Sequence, residues 1–283
     1  MKSESILTFW GCRGSIASPG VHTIVYGGNT SCVSVEHENY MLIFDAGTGL
    51  RKLGQALIGR DDLATIKGSL FLTHTHWDHI QGLPFFYPVF LKENRFTIYG
   101  ERKKEHSLEY VLAEQMQEPF FPLEMDDVFQ ADLDFHEIKV DQKMKIREDI
   151  HITPFRLNHP NASVGYLLQI DNIRLAYVTD HEHKVRQLTT NILEMVQGVD
   201  VLIHDAQYSR KEIENGKKGW GHSAWEDVID LAIKAKVGQL FLYHHDPEIT
   251  DEQLNERQLL AQQSFRQANI AREGLKIPLS KFD

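Results

Sequence analysis

Three histidines and an aspartate fall within six positions at His74-Thr75-His76-Trp77-Asp78-His79, directly after the apolar run Ser69-Leu70-Phe71-Leu72. Alternate residues of an extended segment point to the same side, so His74 and His76 can grip one cation. Asp78 and His79, past the strand end where the chain turns, can reach a second. A solvated polar cluster is the competing reading, and His-x-His-x-Asp-His is far more specific than a lone His-x-His. Such a site needs a strand end to deliver it and further ligands from elsewhere in the chain, which points to a layered α/β fold.

The same ending recurs. Leu175-Ala176-Tyr177-Val178 leads to Asp180, Val201-Leu202-Ile203 to His204 and Asp205, and Leu240-Phe241-Leu242-Tyr243 to His244 and His245. In open α/β sheets the carboxyl ends of strands share one rim, where sites assemble from distant sequence. Earlier segments also read as strands, at Ile6–Trp10, Ser31–Val35 and Tyr40–Phe44, and a helix is expected over Leu50–Ile58. The glycines at 11, 14, 27, 28, 47 and 49 form no Gly-x-Gly-x-x-Gly or Gly-Lys-Ser/Thr phosphate loop, so they read as sharp turns beside a site.

A length of 283 residues suits one α/β domain with a large core, here with a segment rich in Phe, Tyr, Pro and Met over about 83–135 that reads as an inserted cap. Its aromatics suit a substrate ring, a dimer contact or simple core filling. In the C-terminal third, Ser223-Ala224-Trp225-Glu226 matches a capping box, Gly238 a helix stop, and a polar amphipathic helix is expected from about 250 to 271.

The 40 acidic against 30 basic residues give a net charge of −10, which disfavours extended nucleic acid as a partner while leaving room for one phosphate in a metal-charged cleft. Cys12 and Cys32 are too few for a disulfide framework, and no Cys-x-x-Cys is present. No leader-like or membrane-length apolar run is present, so a soluble cytoplasmic protein without membrane association is expected.

Taken in order, His74-Thr75-His76-Trp77-Asp78-His79, then His159 before Gly165-Tyr166, then Thr179-Asp180, Gly221-His222-Ser223 and Tyr243-His244, the series resembles the metallo-β-lactamase fold in its ribonuclease Z and phosphodiesterase-like branch. The resemblance implies a four-layer αββα sandwich with an aromatic-rich helical insertion. It assigns His74, His76 and His159 to one divalent cation and Asp78, His79 and His244 to a second, with Asp180 bridging both. His245 competes with His244, which is preferred because it directly follows the strand. Zinc suits these N/O ligands, with manganese or iron as alternatives. The branch marker is the pair Asp205 and His222: Leu202-Ile203-His204-Asp205-Ala206 is similar to the His-Glu-Ala-Thr stretch of ribonuclease Z enzymes, with Asp for Glu. There His222 would protonate the departing oxygen and Asp205 would orient its ring. Asp78, His222 and Asp205 are thus the expected catalytic residues.

Two such cations suit hydrolysis of a phosphodiester by metal-bridged hydroxide. Between His159 and Asp180 only a hairpin is expected, without the Gly/Pro-rich arm of transfer-RNA processing enzymes. A small phosphodiester such as a cyclic nucleotide is therefore the expected substrate. An RNA 3′-processing nuclease and a non-catalytic metal-dependent sensor are the alternatives, and a homodimer is expected by analogy with the branch.

Overall fold

The computed structural model describes residues 5–60, 65–183 and 186–282. Among them, two seven-stranded sheets lie face to face. The first is built from β1 (Ser5–Gly11), β2 (Cys32–His37), β3 (Tyr40–Phe44), β4 (Lys67–Phe71), β5 (Arg95–Gly100) and β6 (Asp132–Glu137). The second uses β7 (Met144–Lys145), β8 (Ile150–Leu157), β9 (Ser163–Ile170), β10 (Ile173–Val178), β11 (Val201–Asp205), β12 (Gln239–Tyr243) and β13 (Ala268–Ile270), and β14 (Lys276–Pro278) returns to the first sheet beside β1. Each sheet is half antiparallel and half parallel: β3 to β6 run parallel in one, β10 to β13 in the other.

The helices are α1 (Gly49–Ile58), α2 (Trp77–Ile80), α3 (Leu108–Glu114), α4 (Met125–Val128), α5 (Arg186–Met195), α6 (Arg210–Glu212), α7 (Trp225–Ala235) and α8 (Asp251–Ser264). The period of two in each strand sorts its side chains between layers. On β3, Leu42 and Phe44 face the other sheet while Met41 and Ile43 meet Leu50, Leu53 and Leu57 of α1. On β12, Phe241 and Tyr243 face inward while Leu240 and Leu242 pack with Val228, Leu231 and Ala235 of α7. Both faces of β3 and β12 are covered, which is why these two parallel strands read as continuous apolar runs. The αββα sandwich is as expected.

Three local expectations differ. Residues 83–135 are not all outside the sheets: β5 and β6 join β4 in parallel register, so only 83–94 and 101–131 lie outside them, and Leu108 and Leu112 of α3 pack into the core on the first sheet. The N-cap of α7 is Ala224, because Ser223 Oγ donates to the His181 carbonyl and Lys236, in the left-handed region, ends the helix before Gly238. α8 stops at Ser264 rather than near 271, since Ala268–Ile270 pairs with β12.

Candidate metal centre

The carboxyl ends of β3, β4, β8, β10, β11 and β12 meet at one rim, and each is followed within a few residues by a polar side chain of the site. His74 and His76 follow β4, and α2 carries Asp78 and His79. His159 follows β8, Asp180 follows β10, Asp205 ends β11 and His244 follows β12.

The side chains converge as two groups that share Asp180. In the first, His74 Nε2 lies 3.6 Å and His159 Nε2 3.4 Å from Asp180 Oδ2, and His159 Nε2 is 3.2 Å from His76 Nδ1. In the second, His79 Nε2 is 3.2 Å from both Asp78 Oδ2 and Asp180 Oδ1, and His244 Nε2 lies 3.2 and 3.1 Å from the same two oxygens. Each oxygen of Asp180 therefore serves one group. His245 is not part of either: its Nε2 is held by the Ala271 carbonyl.

The proton positions show what these groups can hold. His159 donates through Nδ1 to the Gly221 carbonyl at 3.0 Å, and His79 through Nδ1 to Asp45 Oδ2 at 2.9 Å. When these rings are neutral, their Nε2 lone pairs face another imidazole nitrogen and two carboxylate oxygens, an arrangement that needs a positive charge between; burial opposes it, yet Asp78 and Asp180 push the His79 pKa up, so without a metal a proton fills that place. Among the described residues, His74 Nε2 and His79 Nε2 are buried without a partner in hydrogen-bond geometry, which is rare for buried polar atoms. Donors placed tetrahedrally around a cation at 2.0–2.2 Å stand about 3.3–3.6 Å apart, close to the 3.1–3.6 Å spacings seen here. Neutral imidazole and carboxylate are the chemistry a divalent cation takes. Burial opposes the charge on Asp78 and Asp180, yet the surrounding imidazoles hold both carboxyls well below the usual range. Burial pushes His74 toward its neutral form.

His222 sits beside both groups, its ring stacked 5.1 Å from that of His244 and edge-on to that of His159 at 5.3 Å. Its Nδ1 lies 2.8 Å from Asp205 Oδ2. Asp205 is fully buried and also accepts from the backbone N–H of His181 and Gln207. Burial alone would lower the His222 pKa, but the Asp205 carboxylate overrides it and pushes it up to about 9. The residues open onto a cleft of about 470 Å³ lined by Ser15, Thr75, Asp78, Pro160 and His222, with Trp77 and Trp220, 80% and 53% exposed, at its mouth.

The structure thus gathers every expected residue: His74, His76, Asp78, His79, His159, Asp180 and His244, with Asp205 and His222 alongside. Several partners are not singled out by sequence reasoning. Asp45, at the end of β3, accepts from His79, from Thr73 through both N and Oγ1, and from the Tyr177 hydroxyl. The backbone N–H of Ser15 donates to Asp78 at 2.7 Å. The Glu182 carboxylate accepts from Gly219 N at 2.9 Å and Gly221 N at 2.8 Å, pinning the loop that carries His222. Gly14 is required by contact: a Cβ there would lie 2.4 Å from His244 Nδ1. The strand-end rule that found Asp180 pointed equally at Asp45; Glu182 carries no such signal.

Comparison with known proteins adds a family. The sequence profile of the β-lactamase superfamily domain matches residues 40–245. The ribonuclease Z of Picrophilus torridus is 25% identical over 317 aligned positions, spanning 99% of this chain and 98% of that protein. That of Thermoplasma acidophilum is 23% identical over 253 positions, 77% of this chain and 81% of that one. Among solved structures, the metallo-β-lactamase fold protein YhfI from Bacillus subtilis superposes with a TM-score of 0.72 at 18% identity, covering 98% of this chain and all (100%) of that one. The human short-form tRNase Z gives 0.68 at 21%, covering 96% and 98%, and a diphosphatase of the PhnP family 0.69 at 21%, covering 96% and 97%. These structures share the metallo-β-lactamase fold with this chain.

Proposed function

From the premise that this chain belongs to the β-lactamase superfamily, we propose that it is a dinuclear metal-dependent phosphodiesterase. His74, His76, His159 and Asp180 would hold one divalent cation, and Asp78, His79, His244 and Asp180 the other, with zinc favoured by the nitrogen-rich set and manganese or iron compatible with it. A pair of such ions supplies an activated water and offsets charge on the phosphoryl oxygens during in-line displacement.

The observation that carries the reading is the Asp205–His222 pair beside the shared Asp180. Metal binding alone requires no such pair, whereas a leaving alkoxide requires a proton. Asp205 accepts a hydrogen bond from Nδ1–H of His222, which directs the other nitrogen to the cleft and keeps the ring protonated near neutrality. His222 then holds a proton for the departing oxygen, while Trp77 and Trp220 offer flat faces to a base. Ser15 N–H and Asp45 fix the orientation of Asp78 and His79.

A small phosphodiester such as a cyclic nucleotide fits the cleft. The β9–β10 connection is the two-residue turn Asp171–Asn172, leaving no arm there to grip a large RNA. A second reading, an RNA 3′-processing nuclease, is favoured by the ribonuclease Z sequences that match nearly the whole chain; it runs against the disfavour of extended nucleic acid drawn from net charge. We further propose a homodimer, with exposed Phe85, Tyr87 and Phe120 near the 101–131 stretch as contact surface. No helix among the described residues is long and apolar enough to cross a membrane.

Metal-loaded protein assayed on bis-p-nitrophenyl phosphate, cyclic nucleotides and precursor transfer RNA separates the readings. His222→Ala should retain both cations and lose turnover chiefly with poor leaving groups; unchanged turnover on all substrates would remove His222 from the mechanism.

A further inference from the structure

Beside the metal cleft, sharing Thr75 and His76 with it, lies a second groove of about 470 Å³. Its wall carries Arg102, Lys103, Lys104, Arg156 and His106 against a single acid, Glu101. On a chain with net charge −10 this is a local reversal of sign. Two of the cations are already spent: Arg156 forks onto Glu101, with one contact of 2.7 Å, and Arg102 pairs with Glu137 at 3.0 Å. Lys103 and Lys104 have no ion-pair partner among the described residues.

Their placement is fixed. Lys103 and His106 exchange backbone hydrogen bonds of 3.1 and 2.9 Å across a tight turn, with Lys104 in the left-handed region at φ 52°. Lys103 Nζ, half-buried, donates to the carbonyls of Asn161 and Ala162 at 3.4 and 3.2 Å, on the loop that leaves His159. Burial pulls the Lys103 pKa below its ordinary value, the Glu101 carboxylate works the other way, and the two carbonyls leave one of the three ammonium donors free. Two compact cations flanking a phosphodiester site match a tetrahedral oxyanion better than a planar or neutral group.

We infer that this groove receives a second phosphate of the substrate, carried on the nucleotide next to the scissile phosphodiester. The inference rests on the phosphodiesterase reading and narrows it. A dinucleotide or strand end fills both clefts, whereas a cyclic mononucleotide has its one phosphate at the metal centre and leaves the groove empty. Sequence charge alone hides this, because the −10 is a sum over the whole surface.

Isothermal titration of the metal-loaded protein with adenosine 3′,5′-bisphosphate and adenosine 5′-monophosphate tests it. The bisphosphate should bind at least tenfold more tightly, and Lys103→Gln/Lys104→Gln should bring the two ligands to within threefold. Lys104→Gln alone, on an exposed side chain, should give an intermediate loss without disturbing the fold. In kinetics, a 5′-phosphorylated dinucleotide should exceed its unphosphorylated form in kcat/KM by a similar factor. Equal binding of the two ligands, or a preference the double variant leaves intact, would overturn the subsite. A preference lost in the double variant without hydrolysis of any phosphodiester would uphold the subsite and remove the phosphodiesterase reading instead.

Discussion

Asp180 is the residue at which the two ligand groups meet, one oxygen toward His74 and His159 and the other toward His79 and His244. Asp78 serves only the second group, where its Oδ2 also takes the Ser15 N–H. Asp78→Ala should therefore bind one equivalent of metal instead of two. Because loss of a mere supporting partner already costs about 10–100-fold, hydrolysis should fall by more than about 100-fold, as metal analysis and bis-p-nitrophenyl phosphate turnover would show. Two equivalents in that variant would refute the assignment. His222 has its pKa pushed up to about 9 by Asp205, and cations bound beside it would draw that value down. A proton donor works in its protonated form, so the rate with a poor leaving group should fall as pH rises through a limb at or below about 9. The limb should vanish in His222→Ala; its persistence there would assign it to another group. These residues were legible because each lies in a local pattern or at a strand end. Asp45 follows Phe44 in the same way, but without a neighbouring histidine its role as the partner of His79 emerges only when β3 and β4 pair.

At the scale of elements, the site depends on abrupt strand ends. Asp45, Asp180 and His244 all adopt left-handed backbone, with φ of 60°, 56° and 57°, a conformation costing non-glycine residues about 1–3 kcal/mol each. The turn it produces throws each side chain over the rim, and hydrogen bonds or ligation must offset the cost. The loop carrying His222 has another anchor: Glu182 accepts from Gly219 and Gly221, whose carbonyl in turn fixes His159. Glu182→Ala should keep both metals yet lose about 10-fold in kcat for poor leaving groups, with little change for p-nitrophenolate, and Glu182→Gln, retaining one acceptor, should recover part of it. Equal losses on both leaving groups would mean a general structural role. Sequence periodicity located β3, β4, β10, β11 and β12 because both their faces are apolar. It hid β6, whose Asp132-Leu133-Asp134-Phe135-His136-Glu137 is largely exposed at a sheet edge, and β5 was obscured by the aromatic stretches on either side. Ser223 matched a capping pattern but is committed to the His181 carbonyl. Tertiary bonding overrode local preference.

For the whole molecule, the sandwich brings together side chains separated by 170 positions, from His74 to His244, and leaves carboxylates and lone pairs facing one another at its rim. Cations binding there stabilise only the folded chain. Ligand binding at 1,000 times Kd contributes about 4 kcal/mol, so chelation should lower Tm by at least about 5 °C, and readdition of zinc should restore it. A Tm indifferent to chelator would place the metals elsewhere. The fold class and the convergence of these His and Asp side chains were legible together because both follow from such residues recurring where apolar runs stop. What substrate fills the clefts was not, since the groove at Lys103 and Lys104 exists only through the approach of the Lys103–His106 turn to the loop after His159.

The most direct measurement is the metal content of purified, zinc-reconstituted protein by inductively coupled plasma mass spectrometry. Two equivalents per chain are predicted; less than one equivalent of any transition metal would contradict the account.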